Sequence, residues 1–462
     1  MKVLIIGAGF VGTATAAALA DAGHDITVFD IDIRKIKAFA SAERAEIESC
    51  IFEEGLADLL KRHKERLHFT IDQKKLAAVV LDCEVIFLCL PTPRTATGAA
   101  DLSALEKVVK TLTPLIKKRS AKSPRLVMVI KSTVPISYIA EFEKKLAASD
   151  LKNVGVAVNP EFLAEGKAVS GSLHPERVVV GARTPEDFKT LAKLFQRFVN
   201  SATVKYLEVG PEEAMAGKLA ANFVLFERVM TCFDVVGRMC EVLPNLQFEQ
   251  VREIVKTDSR IGGWGWYDSL YAGGSCFVKD ASSLAYQIKK SGASASLVEE
   301  ILSANERQLN RLYERMIKEG GVKIKGAIFT LLGAAFKQGT NDVRISGALY
   351  FAEKILKQHP AELRIFDPVA GPEAQKYFAG KKEVRIMKTA AAALENAQVV
   401  IIGTDWPEFQ ALAPLILDKA APKCTIVDGR RLLHHDYEML RRAGCTVVPV
   451  GGPTVKEING EE

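Results

Sequence analysis

The 462-residue chain has no C-x-x-C pair among its eight cysteines, no low-complexity tract and no run of 18 uninterrupted apolar residues. Each gap excludes something. Without an apolar run of membrane length, no spanning helix and no membrane partner are expected. Without closely paired thiols, reduced and mostly buried cysteines in a cytosolic, cytoplasmic protein are the natural reading. Charge of one sign is also in short supply: 62 Lys and Arg face 56 Asp and Glu, and the net +6 is spread along the chain. That is too dispersed for a nucleic-acid groove, so no nucleic-acid partner is expected, although it suits small anionic ligands. With 48% hydrophobic residues there is material for real cores, and disordered or collagen-like classes drop out. At about 150 residues per domain the length suggests about three domains.

Lys2, the apolar stretch from Val3 and Ala18-Leu19-Ala20 mimic a signal peptide, but read better as a strand, a glycine turn and a helix. Residues 2–6 form the strand, an Ala-rich helical stretch runs to Gly23, and 25–30 form a second strand. Apolar runs at 84–90, 126–130 and 154–158 alternate with helical patterns, as in a parallel sheet covered on both faces. From about 205 to 310 strand-like runs vanish. Long helical patterns at 212–242 and 280–318 flank a Gly- and Trp-rich loop at 259–276. After 325 the rhythm resumes, with strands at 326–333, 362–366, 398–403 and 424–428 and a helix at 346–358. The fold class expected is α/β: two Rossmann-like, doubly wound parallel-sheet domains, 1–205 and 311–462, joined by a helical connector, 206–310. The last ten residues are polar and read as frayed.

Gly7-Ala8-Gly9-Phe10-Val11-Gly12 follows a strand and opens a helix, and Asp30 ends the second strand 23 residues beyond Gly7. Gly7 permits the tight turn, Gly9 lets backbone approach a pyrophosphate, and Gly12 lets helix pack on strand. The helix N-terminus offers N–H donors and a positive dipole end to phosphates. Asp30 accepts from both ribose hydroxyls and repels a 2′-phosphate, which favours NAD over NADP.

Cys276 sits in Tyr271-Ala-Gly-Gly-Ser-Cys-Phe-Val-Lys-Asp280. Two glycines and a serine would expose the thiol, and the nearby cation Lys279 would favour the reactive thiolate; on the residues alone Cys276 is either such a nucleophile or a core cysteine, as the other seven read. Lys218 and Asn222, spaced i,i+4 in an otherwise apolar stretch, share one helix face. They are either a directed, partly buried pair suited to stabilising an oxyanion or a snorkelling surface lysine with a neighbour. Asn159-Pro160-Glu161-Phe162-Leu163-Ala164-Glu165 carries helix-start signals, with Asn as N-cap and Pro at N1. Glu165 would share the face of Glu161, and both follow a strand's C-terminal end, where α/β ligands bind. Lys131-Ser-Thr-Val-Pro135 occupies the equivalent end of another strand, where Thr133 offers a hydroxyl or only shapes the turn.

Together these stretches resemble the UDP-glucose/GDP-mannose dehydrogenase family over nearly the whole chain, the UDP-glucose branch most of all. Also matching are Asp258-Ser-Arg-Ile-Gly262, Ala335-Phe-Lys337, Asp367-Pro368 and Asp428-Gly-Arg430; Gly273-Gly-Ser-Cys-Phe277 with Lys279-Asp280 is the most specific. The resemblance implies an NAD domain, a helical dimerising connector and a nucleotide-sugar domain in a homodimer or higher homo-oligomer. It also implies NAD as cofactor, no metal, and a UDP-sugar oxidised twice at C6, from alcohol to carboxylate. By the same resemblance Cys276 traps the aldehyde as a thiohemiacetal that becomes a thioester, and Lys218 and Asn222 stabilise the oxyanion. Asp280, Thr133 and Glu161 share proton transfer and water positioning. Cofactor contacts fall on Gly7, Gly9, Phe10, Val11, Gly12, Asp30, Lys35, Thr133, Glu165, Lys279 and Arg344. Substrate contacts fall on Glu161, Phe162, Leu163, Glu165, Lys218, Asn222, Arg260, Tyr271, Gly273, Phe336, Lys337 and Arg430. Val278, Tyr271-Ala272, Met215, Phe223–Asp234 and the Trp264-Gly-Trp266 insert depart from the family pattern. Alternatives are the same chemistry on GDP-mannose or a UDP-N-acetylhexosamine, a hydroxyacid dehydrogenase of the 6-phosphogluconate type, or a catalytically inactive NAD-binding regulator.

Overall fold

In the computed structural model, which describes residues 1–457, the short apolar runs become strands buried on both faces. The contacts divide the chain into two units: residues 1–221 with 282–294, and residues 222–281 with 295 onward. The helical middle contributes residues to both.

The first unit is built on eight strands: β1 (Lys2–Ile6), β2 (Asp25–Phe29), β3 (Leu67–Thr70), β4 (Val85–Leu88), β5 (Leu126–Ile130), β6 (Val154–Val158), β7 (Arg177–Ala182) and β8 (Lys205–Val209). Their order is β3-β2-β1-β4-β5-β6-β7-β8, and every neighbouring pair is parallel except β6 with β7. Alternation along the strands sends Val3, Ile5, Val28, Phe87 and Val129 into one core, closed by the Ala-rich helix Phe10–Asp21. Leu4, Ile6, Ile86, Leu88 and Met128 enter another, closed by helices Ser103–Ile116 and Ile136–Ala148. A sheet buried on both sides explains why these strands read as continuous apolar runs.

The second unit holds β9 (Ile328–Leu332), β10 (Glu362–Phe366), β11 (Val384–Ile386), β12 (Val399–Ile402), β13 (Thr425–Asp428) and β14 (Thr446–Pro449), all parallel, in the order β11-β10-β9-β12-β13-β14. This is the doubly wound dinucleotide-fold order, and in both sheets the winding reverses beside the first strand. The α/β fold class expected from sequence is present. Of the strands that sequence reading did not identify, β3, β11 and β14 are short and β8, with Lys205, Leu207 and Glu208 exposed, is an edge strand without an apolar signature, whereas β7 is a six-residue strand with a buried apolar run that was passed over.

Two long helical patterns are interrupted. Helix Pro211–Met230 runs into a π-helical stretch, Thr231–Gly237, before Arg238–Val242. The 280–318 pattern resolves into Phe277–Lys290 and Ser296–Lys318. The tail expected to fray is tied down as far as Val455, which bridges to Val447; residues 458–462 lie outside the described residues. Among the described residues no helix is long and apolar enough to cross a membrane.

After β10, the buried Asp367 gathers five donors. Its Oδ2 accepts from the N–H groups of Ala334 (2.7 Å) and Ala335 (3.0 Å) and from Trp406 Nε1 (3.1 Å). Its Oδ1 accepts from Val369 (2.9 Å) and Ala370 (2.7 Å). Asp367→Ala strands these donors in a buried place. We expect a loss of about 3 kcal/mol or more in stability, measured by denaturant unfolding of the purified protein.

Candidate active site

The N-terminal turn is shaped as its glycines require. Gly7 has φ +106°, and a Cβ there would stand 2.2 Å from the Cys89 carbonyl oxygen. A Cβ on Gly12 would stand 2.0 Å from the Gly7 carbonyl oxygen, so helix and turn could not meet with any side chain between them. Gly9 has open space around its Cβ position and provides no side-chain cap to helix Phe10–Asp21, which leaves the first-turn N–H groups of Phe10, Val11 and Gly12 uncapped. Asp30 is held against this turn: its Oδ2 accepts from the Ala8 N–H (2.6 Å) and its Oδ1 from the Asp32 N–H (2.8 Å). A bare helix N-terminus, an open glycine and a fixed carboxylate fit a dinucleotide whose ribose carries no 2′-phosphate. Arg34 pairs with Asp32 at 3.1 Å, which compensates the nearest exposed cation, and Lys35 lies half-buried beside it on helix Ile33–Ser41.

Further along the same sheet, the ends of β5 and β6 carry a buried polar group. Lys218, 2% exposed, places Nζ 2.9 Å from Glu161 Oε1 and lies over the Phe162 ring. Glu161 Oε2 accepts from the Leu163 N–H at 2.6 Å. Burial pushes the Glu161 carboxyl up, but the Lys218 ammonium, the Leu163 N–H and Lys131 outweigh it and hold the group below the ordinary carboxylate range. The expected helix beginning at Asn159 is absent, and Glu161 and Glu165 therefore share no helical face. The cap residue is otherwise engaged: Asn159 Nδ2 donates to Val179 O (2.7 Å), and its Oδ1 accepts from Lys131 Nζ (2.8 Å). The helix starts only at Ala168, where Glu53 takes the N–H groups of Gly166 (2.6 Å) and Ala168 (2.9 Å). Thr133 and Glu165 are half-buried in the loops that follow β5 and β6.

In the second unit, Cys276 is half-buried immediately before helix Phe277–Lys290 and accepts the Asp280 N–H at 2.8 Å on its carbonyl. One turn on, the buried Asp280 carboxylate lies between Asn222 Nδ2 (2.6 Å to Oδ2) and Lys279 Nζ (2.5 Å to Oδ1). The N-terminal end of such a helix favours negative charge developing beside the thiol. Phe277 stacks on Phe226, ring centroids 5.8 Å apart, and meets the edge of Trp264 at 6.3 Å. The 259–276 loop therefore has an aromatic backing. Lys218 and Asn222 share the helix Pro211–Met230, as the i,i+4 spacing predicts.

The remaining candidates are more scattered. Gly273 packs so closely that a Cβ would stand 2.5 Å from Ile345 O. Tyr271 is buried, with its hydroxyl donating to Glu306 at 2.7 Å. Lys337 Nζ lies 5.7 Å over the Phe336 ring. Arg430 donates to Gly403 O (3.0 Å) and Phe336 O (2.6 Å), so it holds the main chain at Phe336. Arg260 and Arg344 are exposed and paired with Asp258 (2.7 Å) and Asp342 (2.6 Å). Sequence reading passed over Lys131 and Glu53 as functional or organising groups and gave Asn159 only the part of a helix cap, where the structure ties it to Val179 and Lys131. The signal available was a lysine closing the wholly apolar Leu126–Ile130 run.

Comparison with known proteins matches the chain in three parts. Models of the UDP-glucose/GDP-mannose dehydrogenase family match its NAD binding domain to residues 1–199, its central domain to 212–307 and its UDP binding domain to 330–435. The UDP-glucose 6-dehydrogenase AglM of Haloferax volcanii is 32% identical over 95% of this chain and 100% of its own. TuaD of Bacillus subtilis, also a UDP-glucose 6-dehydrogenase, is 30% identical over 98% of this chain and 94% of its own. The solved UDP-glucose dehydrogenase of the hyperthermophilic archaeon Pyrobaculum islandicum superposes with a TM-score of 0.83 at 27% identity, covering 94% of each chain.

The Lys218–Glu161 pair makes a prediction about pH. In the wild type, Glu161's depressed value contributes stability above the ordinary carboxylate range that is lost as pH falls through it. Lys218→Met removes the largest of the groups that oppose burial and leaves only the weaker Leu163 N–H and Lys131, so the folded carboxyl rises above its unfolded value and stability is lost instead as pH climbs toward neutrality. Thermal unfolding from pH 4 to 8 should show this reversed slope, with a deficit of about 3–5 kcal/mol at pH 7.

Proposed function

Because the chain belongs to the UDP-glucose/GDP-mannose dehydrogenase family, we propose that it converts UDP-glucose to UDP-glucuronate by two successive oxidations at C6. The chain is an NAD-dependent oxidoreductase of nucleotide-sugar type. Bound NAD supplies the hydride acceptor, two per sugar. The observation that carries the reading is the half-buried Cys276 at a helix N-terminus, one turn before an Asp280 carboxylate clamped by Asn222 and Lys279.

In this reading the Cys276 thiolate adds to the C6 aldehyde to form a thiohemiacetal, and the second oxidation leaves a thioester. The Lys218 ammonium and the Asn222 amide stabilise the oxygen that carries negative charge. Asp280, Glu161 and Thr133 share proton transfer and the placing of water, which cleaves the thioester to carboxylate and returns the thiol. A thiolate is suited to both steps, because it holds the aldehyde between oxidations and leaves readily in hydrolysis. Phe10, Val11, Asp30, Lys35, Glu165, Lys279 and Arg344 are assigned to the cofactor. Phe162, Leu163, Arg260, Tyr271, Gly273, Phe336, Lys337 and Arg430 are assigned to the UDP-sugar, Arg430 by holding Phe336 in place.

The domains proposed are 1–205 for NAD, 206–310 as the helical dimerising connector and 311–462 for the UDP-sugar. A cytoplasmic homodimer supplying UDP-glucuronate for polysaccharide synthesis completes the reading; eight free, mostly buried cysteines are what a reducing compartment maintains. UDP-glucose is chosen over other nucleotide sugars on Phe277 after the cysteine and on the names of the relatives.

Two measurements test this. Oxidation of UDP-glucose should yield two NADH per sugar consumed; a ratio near one, or no turnover across UDP-glucose, UDP-N-acetylhexosamines and GDP-mannose, removes the proposal. Cys276→Ser should keep UDP-glucose binding by calorimetry while abolishing overall turnover, and a near-normal steady-state rate would refute the covalent role.

A further inference from the structure

Lys131 lies at the C-terminal end of β5, partly buried, and the mechanism above does not use it. Its Nζ donates to Asn159 Oδ1 at 2.8 Å. Asn159, 2% exposed, is tied on two further sides: its N–H donates to Ile130 O (3.0 Å) and its Nδ2 to Val179 O (2.7 Å). Asn159 thus pins the end of β6 to both neighbouring strands, through its N–H to Ile130 and its Nδ2 to Val179, and Lys131 donates to its side-chain oxygen. Two residues later the chain delivers Glu161 to Lys218. Facing Lys131 are Cys89 after β4, Glu161 after β6 and Lys218 from helix Pro211–Met230. Burial pushes the Cys89 thiol up to about 12, so it carries no charge at neutral pH and leaves Glu161 as the one carboxylate between two ammonium groups.

We infer that Lys131 is a positioning residue of the reaction: through Asn159 it places Glu161, and its charge leaves the Lys131–Glu161–Lys218 group with a net positive charge toward the developing oxyanion. This rests on the function proposed above. It deepens that function by assigning a second, non-contacting lysine to the charge balance of the site.

The sign of its pH dependence follows. Burial pulls the Lys131 ammonium down to about 8; Glu161 resists the fall and Lys218 adds to it. As pH rises through this range the group loses its net positive charge, so turnover should fall on the alkaline side. In Lys131→Met the charge is missing at every pH. Its kcat should drop about tenfold or more at pH 7, with KM for UDP-glucose changed less than about threefold and the alkaline limb near pH 8 gone. Lys131→Arg should restore much of kcat and move the limb upward, which a merely structural role would not do. A Met variant with wild-type kcat, or with the same alkaline limb, overturns the inference.

A second readout needs no turnover. The unfolded chain holds the Lys131 proton up to its ordinary value near 10.5, whereas the folded protein releases it near 8. Above pH 8 the unfolded chain therefore binds more protons than the folded one, and the wild type gains stability relative to Lys131→Met as pH rises. The Tm of the variant minus that of the wild type should fall by several degrees between pH 7 and 9.5, and a constant difference overturns the inference. If the wild type oxidises no nucleotide sugar, the proposed function fails, while this difference still decides whether Lys131 carries the charge assigned to it.

Discussion

The ion pair between Lys218 and Glu161 is the constraint around which the first unit's functional loops are arranged. Both side chains are almost wholly removed from water, at 2% and 9% exposure. Either charge alone would be too costly to keep there, and breaking such a pair costs more than the pair itself contributes. It persists because the remaining valences are met. Glu161 Oε2 has the Leu163 N–H, and Asn159 holds the strand end that delivers the carboxylate. The loop after β6 therefore stays extended where local signals would begin a helix.

The two sheets reuse one device for different ends. After the first strand of each comes a glycine whose N–H donates to the residue ending the second strand, Gly7 to Phe29 O and Gly333 to Phe366 O, 2.9 and 2.8 Å. The next N–H donates to the following aspartate, Ala8 to Asp30 and Ala334 to Asp367. In the first sheet Asp30 takes two backbone donors. In the second, Asp367 takes five, including an indole, and its lone pairs are spent on packing. The same topology thus leaves Asp30, with one backbone donor on each oxygen, spare acceptor capacity in one lobe and makes a structural knot in the other. That difference fits the separate NAD and UDP assignments of the family models.

The Cys276 cluster follows a similar economy of donors. Asp280 is clamped by a residue one position before it and by Asn222, 58 residues earlier. The nearest groups come from the local helix turn, and the rest is supplied from afar. An aromatic stack of Phe226, Phe277 and Trp264 backs the loop, giving the Trp264 segment a packing role.

Short-range chemistry was readable in the chain itself. The glycine turn, Asp30 beyond β2, the shared helix of Lys218 and Asn222, and Cys276 one turn before Asp280 all depend on spacings under about 25 residues, and backbone periodicity dictates them. The doubly wound class was readable for the same reason, since strands buried on both faces must be apolar throughout. Only the tertiary structure decided what spacing cannot encode. It showed that Asn159 gives its side chain to Val179 and Lys131 instead of capping a helix, that Glu53 caps one 113 residues away, and that Arg430 braces a main chain. In each case a polar side chain chose a distant partner over a local one, because burial makes an unmet hydrogen bond cost more than a lost helical turn.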